Sequence, residues 1–165
     1  MRWKIAPYVA LLLGVTASAA TFSSAKDGFR ISAPAGWQQS SYPGVNVVFL
    51  APQVLPDFRP NVNVLVQSLP KGMTQKQYHD ISVKQLDTVI TDGKIISQRV
   101  ATLAGQPANE LIYQGRQGKL TLYFHAVYAV KGQKAYILTG TTKLGSQAAL
   151  QSAMKTFVDT FRFLP

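Results

Sequence analysis

The feature that most constrains this chain is the spacing of its last four β-rich runs. Ile95 to Thr102, Ala108 to Gln114, Lys119 to Val130 and Lys134 to Thr141 are rich in Val, Ile, Leu and Tyr, and only the short links AGQP, RQGK and VKGQK separate them. Links of that length, each carrying a glycine, suit hairpins. The simplest arrangement is an antiparallel meander rather than a doubly wound parallel sheet, and it fills much of the C-terminal half of the chain.

Upstream, Gly28 to Ala33, Val45 to Leu50 and Val62 to Leu69 read as three more strands, closed in turn by Pro34, Pro52 and Pro70. In the last, Val62, Val64 and Val66 share one face while Asn61, Asn63 and Gln67 take the other. Phe29 and Ile31 alternate with Arg30 and Ser32; Pro34, Gly36 and Trp37 then suggest an opening hairpin with Trp37 over the sheet's edge. Two stretches carry helical period. The first starts at Thr74, where Gln77 has capping-box spacing. It is expected to run to about Ile90, with Tyr78, Val83, Leu86, Val89 and Ile90 in its apolar arc and Asp92-Gly93 as its stop. The second opens near Ser146, the expected cap, and sets Leu150, Ala153, Met154, Phe157, Val158 and Phe161 in one stripe. The expected fold class is therefore α+β, an antiparallel sheet flanked by helices.

Residues 1–20 read differently. Arg2 and Lys4 precede an apolar run from Ile5 to Val15 that ends in Ala17-Ser18-Ala19-Ala20, the layout of a cleavable secretory signal peptide. The run is far short of the roughly 20 residues that span a bilayer. One domain over 21–165 is expected after cleavage, exported to the periplasm or beyond. There is no cysteine, so neither disulfides nor N-terminal lipidation through a thiol contribute. The net charge of +10 falls to about +8 once Arg2 and Lys4 leave with the leader. That balance admits peripheral contact with an anionic membrane or cell-wall polymer. The basic turns at Arg116 with Lys119 and at Lys131 with Lys134 fall at opposite ends of a meander, and no Lys/Arg-aromatic stripe is present, which disfavours nucleic acid.

Reactive constellations are sparse. Two histidines, His79 and His125, a single glutamate, Glu110, and six scattered aspartates offer no metal-ligand spacing. Gly145-Ser146-Gln147-Ala148 lacks the second glycine of a nucleophile elbow. Neither a Walker nor a dinucleotide loop occurs, so no nucleotide or other cofactor is expected. His79 falls at the edge of an apolar helical arc and reads as a hydrogen-bonded core residue. The candidate binding residues are Tyr123 and His125, with Tyr113 and Glu110 on the preceding strand. Tyr123 and His125 share a face with Thr121 and Val127, opposite Leu120, Leu122, Phe124, Ala126 and Tyr128. If that face is open, the pair lines a groove, and His125 with a carboxylate is the basis of a hydrolase alternative. If a helix covers it, both are packing residues.

The stretches GFRISAPAGW, VNVVFLAP, NVNVLVQSLPKGMTQKQYHDI, LAGQPANELIYQG, YFHAVYAVKGQKAYILTGTT and the terminal FVDTFRF together resemble the PsbP-like superfamily, in particular its bacterial DcrB-type branch of exported domains. The resemblance covers nearly the whole of 21–165. It implies an antiparallel sheet sandwiched by helices and a non-catalytic role, docking on a protein or envelope partner. The chain lacks the long N-terminal extension of the photosystem members and the anchoring cysteine of lipidated members. Its leader also sets it apart from the cytoplasmic effector chaperones. The sequence thus leads to an exported, monomeric, non-catalytic binding protein of the cell envelope.

Overall fold

A computed structural model describes residues 19–165; the expected leader lies outside the described residues up to position 18. The elements run β1 (Thr21–Ser24), β2 (Phe29–Ser32), β3 (Gln38–Ser40), β4 (Val47–Leu50), β5 (Asn61–Ser68), α1 (Gln75–Val89), β6 (Thr91–Leu103), β7 (Gln106–Gln117), β8 (Leu120–Lys131), β9 (Lys134–Lys143), α2 (Gln147–Thr160) and β10 (Arg162–Phe163). Seven strands form one sheet in the order β3-β4-β5-β9-β8-β7-β6, and β1-β2-β10 form a second, small one.

The meander is present as expected, and its turns explain its register. Ala104 and Gly105, both at positive φ, form the two-residue link between β6 and β7. That is the pattern of a type I′ turn, whose twist matches that of the strands it joins. With two-residue links at all three junctions the pairing follows by counting outward: Arg99 lies opposite Glu110, Ile112 opposite His125, and His125 opposite Gly140.

Helix α1 lies over β6, β7 and β8 on one face of the large sheet, while α2 crosses the other face and also meets β2. The small sheet shares the α2 side. Phe29 and Ile31 of β2 join Phe49, Val62, Val64, Leu138, Leu150, Met154, Phe157 and Phe161 in the main core. Each such side chain contributes about 1.5–3 kcal/mol when fully buried. Close approach of α2 depends on Gly140, where a Cβ would sit 2.6 Å from Met154 Cγ and 2.7 Å from its Sδ.

Several expectations need correction. The β2 strand does not open a hairpin with the segment after Pro34. It pairs with β1 and β10, and β3 crosses to pair with β4 in the large sheet. The reason lies in β2's two buried side chains, Phe29 and Ile31, which are drawn under α2. The short polar strands TFSS and QQS carry little pattern of their own and exist through their partners. Helix α1 has the expected capping box at Thr74 and Gln77 and ends at Val89 with Ile90 as its C-cap, as expected, but Asp92-Gly93 is not what stops it. Ile90 is pinned against Gly115, where any Cβ would collide with Ile90 Cγ2, so the chain turns into β6 before Asp92-Gly93 is reached. Those two residues instead sit in a register irregularity of β6, with Asp92 at positive φ. Val89, placed in the apolar arc, is 73 % exposed because α1 covers only the β6 to β8 side of its face. Ser146 occupies the N-cap position of α2 yet makes no side-chain cap bond.

Candidate functional site

The four candidate residues do not converge on one site, because alternation along β7 and β8 divides them between the two faces of the sheet. Glu110, Tyr123 and His125 face the α2 side. Tyr113 faces the α1 side.

On the α2 side, Glu110 binds two partners at once. Its Oε1 accepts from His125 Nε2 at 2.6 Å, and its Oε2 accepts from Arg99 Nε. An ionised carboxylate only accepts, so Nε2 carries the proton in this contact. His125 Nδ1 is buried and has no partner. Burial pushes the Glu110 carboxyl up, but the hydrogen bonds from Arg99 and His125 together outweigh it and hold the group below its ordinary value. Both histidine nitrogens are therefore withheld from solvent, one by the carboxylate and one by burial. Tyr123 is 3 % exposed and its hydroxyl meets Gln151 of α2 at 3.4 Å. Of the two alternatives for the face of Tyr123 and His125, the covered one holds: the apolar stripe of α2 must bury itself, and this is the face it takes.

Arg99 is the partner that residue-by-residue reading missed. It was legible in principle: the Ala104-Gly105 turn sets β6 against β7, and counting back from it puts Arg99 opposite Glu110. Opposite charges directly across an antiparallel pair attract.

On the α1 side a groove of about 260 Å³ runs between the helix and the sheet. Leu65, Leu111, Ala126 and Ile137 form its apolar floor, and Ile81 and Val89 stand on its helical lip, 40 % and 73 % exposed. Tyr113 closes one part of it, stacked on Phe124 with ring centroids 4.8 Å apart. Burial pushes its phenol up to about 12, so it stays protonated at physiological pH. Tyr128 takes His79 Nδ1 at 2.6 Å on the same face, which makes His79 the hydrogen-bonded, partly buried residue expected of it. The first turn of α1 is tied down through Gln75, which donates to Asn109 Oδ1 and accepts from the Val130 amide.

Among the described residues no three His, Cys, Asp or Glu side chains are placed to hold a metal. No helix among them is long and apolar enough to cross a membrane.

Known proteins agree with this architecture. A family model described as DcrB matches residues 30–160. Cyanobacterial PsbP (CyanoP) from Synechocystis sp. PCC 6803 superimposes with a TM-score of 0.67 at 20 % identity, covering 97 % of this chain and 98 % of that one. LpqN of Mycobacterium tuberculosis, described as involved in cell envelope biogenesis, gives 0.66 at 13 % identity, over 90 % of this chain and 86 % of its own. The Saccharomyces cerevisiae Ran-binding protein Mog1p gives 0.62 at 10 % identity, over 90 % and 97 %. No curated protein matches in sequence. The solved structures speak for the fold, an α+β sandwich of PsbP type, and the family model speaks for the sequence: this chain belongs to the DcrB family.

Proposed function

We propose that this protein is a non-catalytic accessory protein of the bacterial cell envelope, exported to the periplasm as a monomer, that docks on a protein or envelope partner. The observation that carries the reading is the groove beside α1, whose apolar floor and exposed Ile81 and Val89 suit an apolar segment of a partner. The arrangement of Glu110 supports the non-catalytic part. A general base needs a nitrogen or oxygen within reach of substrate, and here the carboxylate is shared between Arg99 and His125 while His125 Nδ1 is buried. LpqN's described involvement in envelope biogenesis and Mog1p's description as a Ran-binding protein lend weight to an accessory binding role on this fold.

The test is crosslinking in the native cell followed by partner identification, repeated with Ile81→Glu and Val89→Glu. The expected result is a partner captured by the parent chain and lost with either variant, both of which melt like the parent because the two positions are exposed. A broad hydrolase screen that finds turnover abolished by His125→Ala overturns the proposal.

A second reading has one observation in its favour. Lys26, Lys131 and Lys134 gather around an open cleft of about 630 Å³ where the β8–β9 turn meets the segment before β2. Such a cluster suits peripheral contact with an anionic membrane or cell-wall polymer.

A further inference from the structure

A second cleft, of about 390 Å³, lies on the other side of the molecule where the β4–β5 loop faces the start of α2. Trp37, Pro52, Leu55 and Pro60 wall it with apolar surface, and Thr142 with the first turn of α2 supplies the polar part. Two independent features of that polar part are unsatisfied.

The first is the helix end. Helix α2 is 14 residues long; Ser146 makes no side-chain cap bond, and no acidic residue stands in the first turn. Gln147, the first residue of the helix, turns back to accept from the Gly145 amide at 2.8 Å instead of capping the helix. The leading amides of an α-helix lack intrahelical acceptors and carry the positive end of the macrodipole, and here they open on a cleft. By contrast α1 is closed by a complete capping box.

The second feature is Thr142. It is fully buried, its Oγ1 has no hydrogen-bond partner, and it lies on β9, opposite Tyr123, among the residues that line this cleft. A buried hydroxyl left unpaired loses its bond to water and gains none in return. The hydroxyl can donate, and with the uncapped amides it offers a ligand several donors and no charged acceptor.

Charge nearby has the matching sign. Arg59 donates to Ala51 O at 2.8 Å and to Gln38 Oε1 at 3.2 Å, and Lys143 donates to Pro56 O at 3.1 Å. Both cations meet neutral oxygens only, and Asp57, the one acidic residue of the β4–β5 loop, is exposed and forms no salt bridge among the described residues.

We infer that this cleft binds a small organic carboxylate with an apolar body, its carboxylate held by the Thr142 hydroxyl and the first amides of α2 and its apolar part lying against Trp37 and Leu55. A neutral ligand leaves the helix end uncompensated, and a bare inorganic anion leaves the apolar walls wet.

The experiment titrates the purified protein with hexanoate and benzoate, with hexanamide and benzamide, and with inorganic phosphate, followed by calorimetry and by NMR of the Ala148 and Ala149 amides. Saturable binding of the acids, at least about tenfold tighter than their amides or phosphate, is expected. Thr142→Val is expected to weaken the acids by about tenfold while melting at or above the parent temperature, since it removes an unpaired hydroxyl. Ala149→Glu puts a carboxylate in the first turn of α2 and completes the Ser-x-x-Glu capping pattern; it is expected to abolish acid binding without loss of stability. A short peptide ending in leucine, free and amidated, identifies the source: tighter binding of hexanoate points to a free acid, tighter binding of the free peptide to a chain terminus, and in both cases the amidated form must be weaker. Equal affinity for acids and amides, affinity for phosphate equal to that for the acids, or no saturation in the millimolar range overturns the inference.

Discussion

Glu110 holds together three strands through side chains alone, accepting from Arg99 on β6 and His125 on β8. Its pKa is lowered in the folded state, so the stability it contributes is complete above its unfolded value of about 4.3 and is lost as pH falls through the lower folded value. Glu110→Gln is therefore expected to cost about 1–3 kcal/mol near neutral pH, as expected when a charge-assisted bond is lost in a largely buried setting. Its stability should then decline less steeply than the parent's as the solution is acidified below about pH 4. Parallel urea unfolding series at pH 7 and pH 3 check this; an equal gap between the two proteins at both values refutes it. At the same scale, Trp37 packs on the main core while also walling the cleft at the start of α2. Trp37→Ala should lower the denaturant midpoint by an amount equivalent to about 2–4 kcal/mol, less than a fully buried tryptophan because Trp37 is only partly covered. An unchanged midpoint would mean that Trp37 serves ligand contact alone.

Among the elements, the pairing of β9 with α2 is the most exacting. Met154 and Leu150 descend onto Gly140, and both are buried, so neither has room to yield. Gly140→Val is expected to destabilise by about 1–3 kcal/mol or more through overpacking and to raise hydrogen exchange along α2 before the meander is affected. Uniform exchange across both elements would contradict that order. The meander itself was readable because a two-residue turn sets register and alternation then assigns every side chain a face. The same counting places Glu110 and His125 diagonally across β7 and β8. Helix α1 was readable from its capping box, and its end near Ile90 was readable too, but not what ends it: Ile90 packs against Gly115, far along the chain, and Asp92-Gly93 lie beyond in β6. The strands β1, β3 and β10 carry too few patterned residues to announce themselves; two of them complete the sheet around β2 and the third borders β4.

For the molecule as a whole, lysines stand at both ends of the large sheet, Lys26, Lys131 and Lys134 at one and Lys119 and Lys143 at the other. Interactions made through exposed lysines are screened within about 8 Å at physiological salt. Retention on vesicles of anionic phospholipid should thus fall as salt rises from about 0.05 M to about 0.5 M, and Lys26→Glu with Lys131→Glu and Lys134→Glu should weaken it further at low salt. Retention insensitive to salt and to charge reversal would remove the electrostatic reading. The sequence by itself determined the α+β class, the antiparallel meander and the stripe of α2, since these follow from local periodicity, turn chemistry and short-range register, while the DcrB-type likeness lay in the resemblance of whole stretches. Only the tertiary structure decided which face of the sheet each helix covers, and with it the fate of the candidate residues: α2 closed over Tyr123 and the His125 face, α1 left a groove beside Tyr113, and Thr142 came to lie unpaired below the open end of α2. Those outcomes depend on which apolar surfaces meet across more than a hundred residues of chain, as Phe29 meets Phe161, and no local pattern encodes that choice.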